Sequence, residues 1–450
     1  MRRYLRHLSG NGLAGTTVNQ AFVLLAGIGS GVTLARSLGP AGRGELAAVL
    51  LWSGILGLFG DMGLGFAFSY YSGKMKERID EFWTLSISSG LLIGGVLALA
   101  GWIAIPHFVH PLRGMSQRGD LGWALLSIPV ILANGFQSYL LLGRNLVRDY
   151  NLIRITNAVS YLIIVMATSA IHPTARNFVI AYLLAQLCGL TLCTVLVIRR
   201  FHPRPRFERS LVRKLLSYGL KTQVASLAAQ TNLRADQAIM SIVLQPAQFG
   251  LYVVAVSVSG VLSPLMNALT VVILPRTTHA ESELAGVLLV ARHVKLACLL
   301  SIPVIAVAVL LMPWVLPMLF GHAFAPAVLT AQILVVASLF QGLNAMLGNS
   351  LRGLGHPSLP ALGEGAGMLI TVSLLFLLLP GFGIAGAAVA SLCAYSFVAI
   401  AEFILVARVA GMSSRHLALS SAGDPLLEKS RQVLRALLRP VRVAPDAGRE

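Results

Sequence analysis

One feature recurs along almost the whole chain: apolar stretches of 20 or more residues, separated by short segments that hold most of the charges. As a helix, each stretch is long enough to cross a hydrocarbon core about 30 Å thick. Inside hydrocarbon every backbone N–H and C=O has to be bonded within the protein, which selects helices for spans of this length. Composition agrees, since 56% of the 450 residues are hydrophobic and 12% are charged, against about 25% charged in soluble domains. The expected fold class is an all-α polytopic membrane protein.

Apolar length, Gly/Pro punctuation and charged loops place twelve spans, near 15–36, 44–72, 82–105, 121–142, 152–171, 177–198, 214–242, 248–275, 292–312, 326–350, 358–379 and 384–407. The opening MRRYLRHLSGNGLAG is basic like a signal peptide, but no convincing small-residue cleavage site follows the run from Val18 to Leu34, so it reads as a retained first helix. With a cytoplasmic N-terminus, 28 Lys and Arg fall on the inner side and 5 (Arg36, Arg43, Arg113, Arg118 and Arg176) on the outer side, while Lys221 and Arg234 fall within a span. That asymmetry predicts that both termini are cytoplasmic. It also accounts for the net charge of +18 without nucleic acid. Cys188, Cys193, Cys298 and Cys393 lie inside apolar segments without metal-ligand spacing, so they read as small core residues, and neither a metal nor a cofactor is expected.

The longest inner loop, RRFHPRPRFERSLVR from Arg199 to Arg213, is proline-broken and strongly basic. It divides the chain into a six-helix half (1–198), a linker on an anionic leaflet (199–213), a second six-helix half (214–408) and a basic tail (409–450). In the tail, DPLLEKSRQVLRALLRPVRV from Asp424 reads as a short amphipathic surface helix. An internal repeat supports the division. LGPAGRGELAAVLLWSG from Leu38 and LQPAQFGLYVVAVSVSG from Leu244 match at a constant offset of 206, pairing Pro40 with Pro246 and Gly44 with Gly250. Six helices per half is an even number, so the halves share one orientation and are related by a pseudo-twofold axis along the membrane normal.

The segment LARSLGPAGRGELAAVLLWSGILGLFGDMGLGFAFSYYSGK, with a small residue and Arg before Leu-Gly-Pro, then Gly, then a Gly-Leu-rich helix, resembles the polysaccharide flippase (Wzx-type) branch of the multidrug/oligosaccharidyl-lipid/polysaccharide exporter superfamily. The resemblance runs through twelve helices in two six-helix bundles. It implies a central cationic cavity and alternating access, passing an undecaprenyl-diphosphate-linked oligosaccharide from the cytoplasmic to the outer leaflet of a bacterial inner membrane for surface polysaccharide biosynthesis. The implied partners are that lipid-linked glycan, membrane lipids, and a polymerase and other glycan-assembly proteins; a monomer is the family default.

A diphosphate in a low-dielectric region needs cations within the span, so intramembrane ionisable groups are the first candidates. Arg234, on the seventh span, should line the cleft under the family arrangement, or else snorkel with Asp236 at the outer helix end. Lys221, nearer the cytoplasm, is a second candidate phosphate contact. Asn19 and Gln20 on the first span, with Gln223, Gln230 and Asn232 on the seventh, could hydrogen-bond sugar hydroxyls or neighbouring helices. Arg36 occupies the family motif and is a candidate substrate contact or interfacial anchor. Asp61, near the middle of the second span, and Glu364, on the eleventh, are candidates for ion coupling or gating.

Two rival functions remain open on the sequence. A cation-coupled multidrug or small-metabolite antiporter of the same superfamily would share the helix count, although its usual early Asn-Pro signature is missing. A membrane polymerase or ligase acting on the same carrier would need catalytic groups on a sizeable outer loop, and the longest such loop, Pro106 to Asp120, holds a single acid and two arginines. No Walker, GxSxG, HExxH or DxD constellation stands out, so a non-enzyme is expected.

Overall fold

The computed structural model describes residues 11–108, 115–278, 282–356, 358–409 and 411. The basic start with Arg2, Arg3 and Arg6, Arg113, and the tail helix expected from Asp424 lie outside the described residues. Every regular element among those described is helical: α1 (Asn11–Asp61), α2 (Leu64–Lys74), α3 (Ile79–Phe108), α4 (Met115–Leu125), α5 (Ser127–Gly143), α6 (Val147–Ile171), α7 (Ala175–Phe201), α8 (Arg209–Val243), α9 (Pro246–Ser259), α10 (Ser263–Thr278), α11 (Glu283–Phe320), α12 (Val328–Gly353) and α13 (Ser358–Val409).

Nine runs among the described residues are long and apolar enough to span a bilayer. Two of them hold two crossings each, because α1 breaks at Gly39 (φ 65°) and α13 at Gly383 (φ 55°), a backbone region that favours glycine. That makes eleven. The twelfth crossing is α8, too polar to be recognised by apolarity because it carries Arg209, Arg213, Lys214, Lys221, Arg234 and Asp236. The second crossing is itself interrupted at Met62 and Gly63, both at positive φ. There the Asp61 carboxylate accepts the N–H groups of Gly63 and Gly65, satisfying donors at the start of α2 that no helical carbonyl can reach.

Close approach between helices uses small residues, as lipid offers no solvent-driven attraction between apolar faces. Gly90 and Gly94 of α3 lie four apart on one face, and a methyl on either would overlap the backbone of α5 at Ala133 or Pro129. Among the described residues, buried side chains gather into four clusters, of which the two largest belong mainly to one half each. The first includes Phe68, Phe82, Phe136 and Phe178, and the second Tyr252, Phe249, Leu316 and Leu375. The helices nearest the middle cross this division: Leu211 and Leu215 of α8 pack in the first core, and Ala35, Ala47, Ala48 and Leu51 of α1 pack in the second.

The repeat pairs with itself in space. Pro40 follows the non-helical Gly39, and Pro246 opens α9 after an extended Gln245 (φ −64°, ψ 148°), so each proline sits in a first turn where its missing N–H costs nothing. A methyl on Gly44 would overlap the carbonyl of Pro246, and one on Gly250 would overlap the carbonyl of Pro40. Both contacts map onto each other by the offset of 206, which is the signature of a twofold-related, self-complementary interface. We call this end of the bundle the repeat end, and the opposite end, which carries residues 199–213, the linker end.

This contact gives a direct test. Gly44→Ala and Gly250→Ala should each cost about 1–3 kcal/mol by overpacking, visible as a lower thermal midpoint of the detergent-purified protein. The double variant should fall short of additivity, since one separation relieves both overlaps. Gly57→Ala and Gly135→Ala, where an added Cβ meets nothing within 4 Å, should leave the midpoint in place.

Candidate functional site

The linker fixes where α8 begins. The Arg204 N–H donates to Asp80 Oδ1 at 3.1 Å, and the Arg206 N–H to Thr84 Oγ1 at 2.9 Å. Arg206 lies 3.6 Å from Glu81, and Arg78 pairs with Glu208 at 2.7 Å. Glu208, one residue before α8, also accepts the Ser210 hydroxyl. The Ser210 hydrogen bond first, and Arg78 after it, hold the Glu208 carboxyl below the ordinary glutamate range. The basic linker is thus docked on the first turns of α3, where Asp80 and Glu81 face a helix N-terminus that favours negative charge.

From that anchor, Arg209, Arg213, Ser217 and Lys221 recur every fourth residue and share one face of α8. Ser210, Lys214 and Tyr218 form the neighbouring row. Together with Tyr71 of α2 they line a cavity of about 940 Å³ at the linker end. Four cations and, among the described residues, no acid line it, a lining whose charge suits a polyanion. Tyr218 stacks on Tyr70 at 4.9 Å between ring centres with 9° between planes, and meets Tyr71 edge-on at 5.5 Å. Beyond the tyrosines α8 and α2 touch backbone to backbone, as an added methyl on Gly63 would overlap Gly219. The break after Asp61 therefore lies where α2 meets the cationic helix.

Of the residues singled out from the sequence, Lys221 is the one the cavity collects. Arg234 lies thirteen residues farther along α8, about 20 Å at 1.5 Å per residue. It is exposed, and its guanidinium lies over Gly54 of α1, with Tyr182 of α7 close enough to interact. It reaches across from the second half to the first. Asn19 is buried and its amide donates to the Asn151 carbonyl at 2.8 Å, tying α1 to α6. Gln223 donates to the Leu58 carbonyl at 3.1 Å, tying α8 to α1. Gln20 is half-buried, Gln230 is exposed, and the Asn232 side chain lies outside the described residues. Asp61 caps α2, and Glu364 is half-buried on α13.

Asp236 does not snorkel. It is 4% exposed and accepts the Tyr252 hydroxyl at 2.6 Å, with Ser391 at 3.4 Å, so it joins α8 to α9 and α13. Sequence reasoning assigned Arg209, Arg213 and Lys214 to topology alone. The signal that places them in a site is the four-residue spacing of Arg209 and Arg213 continuing through Ser217 to Lys221, with Lys214 in the adjoining row.

At the repeat end Arg36 bridges the halves. Its guanidinium donates to the Leu319 carbonyl at 2.8 Å and the Met318 carbonyl at 2.5 Å, carbonyls of the last turn of α11 that have no helical partner. A cation at a helix C-terminus also meets the negative end of the macrodipole. Arg36→Ala should shift the equilibrium toward a parted repeat end by about fivefold, for about 1 kcal/mol at an exposed terminus. Arg36→Lys should recover part of the closure, as a single ammonium lacks the guanidinium fork. Distances between spin labels at the exposed Ala41 and Ala323, measured in nanodiscs, read this out, and an unchanged distribution in Arg36→Ala would count against it.

Known proteins match this arrangement. The family model described as "Polysaccharide biosynthesis protein" matches residues 33–329. The probable low-salt glycan biosynthesis flippase Agl15 of Haloferax volcanii is 24% identical over 198 residues, which is 43% of this chain and 41% of that protein. The chain thus matches less than half the length of that relative. Among solved structures, lipid II flippase MurJ in an inward closed conformation superposes with a TM-score of 0.73 at 13% identity, over 94% of this chain and 93% of that one. An inward-facing multidrug resistance MATE family transporter of the MOP superfamily gives 0.68 at 16% identity, over 89% and 96% of the two chains. An outward-facing one gives 0.60 at 13% identity, over 88% and 93%.

Proposed function

The chain belongs to the polysaccharide biosynthesis protein family and is a multi-pass membrane transporter with the MurJ/MATE fold, and on that premise we propose that it flips an undecaprenyl-diphosphate-linked oligosaccharide from the cytoplasmic to the outer leaflet of the inner membrane. The observation that carries this reading is the cavity at the foot of α8, where Arg209, Arg213, Lys214 and Lys221 converge with no acid among the described residues that line it. A diphosphate entering there exchanges water for charge-assisted hydrogen bonds worth about 1.5–3 kcal/mol each, while the polyprenyl tail remains in lipid. A cationic drug would meet four like charges.

The basic bias supports a cytoplasmic linker end, with both termini on that side. With the repeat end closed by Arg36 and the paired prolines, the cavity opens toward the linker end, in keeping with the better superposition on inward-facing structures. The headgroup is held by the foot cations of α8, and Arg234, about 20 Å farther along and roughly 140° around the same helix, offers a separate contact against the first half. Parting of the repeat end then releases it to the outer leaflet. Each half moves largely as a body, which is alternating access. The protein acts as a monomer, supplying flipped glycan to a polymerase and other assembly proteins.

Binding tests the reading. In nanodiscs, undecaprenyl diphosphate should bind wild type, weaken steeply with added salt, and bind the Arg213→Gln/Lys214→Gln/Lys221→Gln variant at least about tenfold more weakly, a loss of about 1.4 kcal/mol. Neutral undecaprenol should bind both alike. Equal binding of the diphosphate lipid to both proteins would sink the proposal, and preferential binding of a cationic drug would favour the antiporter.

A further inference from the structure

A second charged locus lies between α12 and α13 of the second half, and none of its residues lines the cationic cavity. Glu402, on the 384–409 limb of α13, is 0% exposed, and neither carboxylate oxygen has a hydrogen-bond partner. The slot that holds it is made by glycines. A Cβ on Gly348 of α12 would lie 3.5 Å from Glu402 Oε1, and one on Gly363 of the other α13 limb would lie 3.5 Å from its Cγ. The cation that acts on it is Arg352, in the last turn of α12. Its Nη1 donates to Asn349 Oδ1 at 2.8 Å on its own helix, although it lies 3.8 Å from the same Gly348 position that Glu402 flanks. The other charged group acting on Glu402 is Glu364 of α13. On the adjoining α11, His293 is turned to the Leu289 carbonyl of its own helix.

An ionised carboxylate in this slot would have no donor, at a cost of several kcal/mol, and with a second carboxylate nearby it would also be repelled. The neutral acid avoids both penalties. An ionisable side chain held inside a span at such expense marks a functional site by default. We propose that Glu402 is a proton-binding site. It carries a proton while Arg352 is bonded to Asn349, and releases that proton to water at the linker end when the Arg352 guanidinium swings over to pair with the carboxylate. The carboxyl O–H breaks as water takes the proton in a new O–H bond, and no other covalent bond changes. The swing converts a neutral acid and a remote cation into an ion pair between α12 and α13, so proton occupancy changes how those helices pack. Use of that change to drive glycan transfer rests on the flippase reading; the site itself does not.

Infrared difference spectroscopy of the full chain in nanodiscs, without substrate and titrated over roughly pH 5 to 10, tests it. Wild type should show a protonated-carboxyl C=O band that disappears as pH rises. Glu402→Gln should lack that band, whereas Glu364→Gln should keep it. Arg352→Gln, which removes the cation that stabilises the ionised form, should move the disappearance to higher pH, and it serves as the deciding variant if Glu402→Gln does not fold. A wild-type band that survives in Glu402→Gln, or a titration unmoved in Arg352→Gln, overturns the proposal. If the band behaves as expected but undecaprenyl diphosphate does not bind, the proton site stands and the flippase reading falls. If the lipid binds and the band is missing, the reverse holds.

Discussion

The reciprocal contact between the two repeat segments is the constraint on which the arrangement depends. Gly44 against Pro246 and Gly250 against Pro40 put backbone on backbone across the pseudo-twofold axis, a proximity that no side chain larger than hydrogen allows. With the halves held together there, space between them can open at the opposite end. The Arg36 bonds to the end of α11 reinforce the same closure with charge. Fold, conformation and the place of the cavity follow from one short motif used twice.

The second organising fact is the polarity of α8. A helix with five cations and a carboxylate is unfavourable against lipid, by about 2.5–3.5 kcal/mol for a charge at mid-bilayer on insertion scales. It is stable here because the halves enclose it and because each charge has a defined place. The lower cations face a cavity, Arg234 reaches the first half, and Asp236 is satisfied by Tyr252 and Ser391. The cations that line the cavity therefore lie on the crossing that apolarity alone would overlook.

Much of this was legible in the sequence, and the rest has a physical reason for being hidden. Span count, two-half fold and turn positions are local: a long apolar run, a Gly-Pro pair and a change of charge all act within a few residues. The offset of 206 between Pro40 and Pro246 also carried a long-range contact, because symmetry writes both partners in the same letters. What could not be read is which side chain a polar residue meets. The partner of Asn19 is a carbonyl 132 residues away, and Arg36 binds carbonyls 282 and 283 residues away. Asp61 looked like a lone intramembrane acid until the break at Met62 and Gly63 supplied it with backbone donors. Glu402 falls inside the twelfth span expected from the sequence, and its isolation depends on two glycines from other crossings.

The two ends of α8 are fastened to different bodies. Its first turns, held by the docked linker and by Leu211 and Leu215, belong to the first half, whereas Asp236 is bonded to the second. Any rotation of one half against the other must be absorbed as curvature or twist in the helix between Leu215 and Asp236. That stretch begins at the foot cations and ends beside Arg234, so the helix that carries the cations is also the spring that such a motion would load.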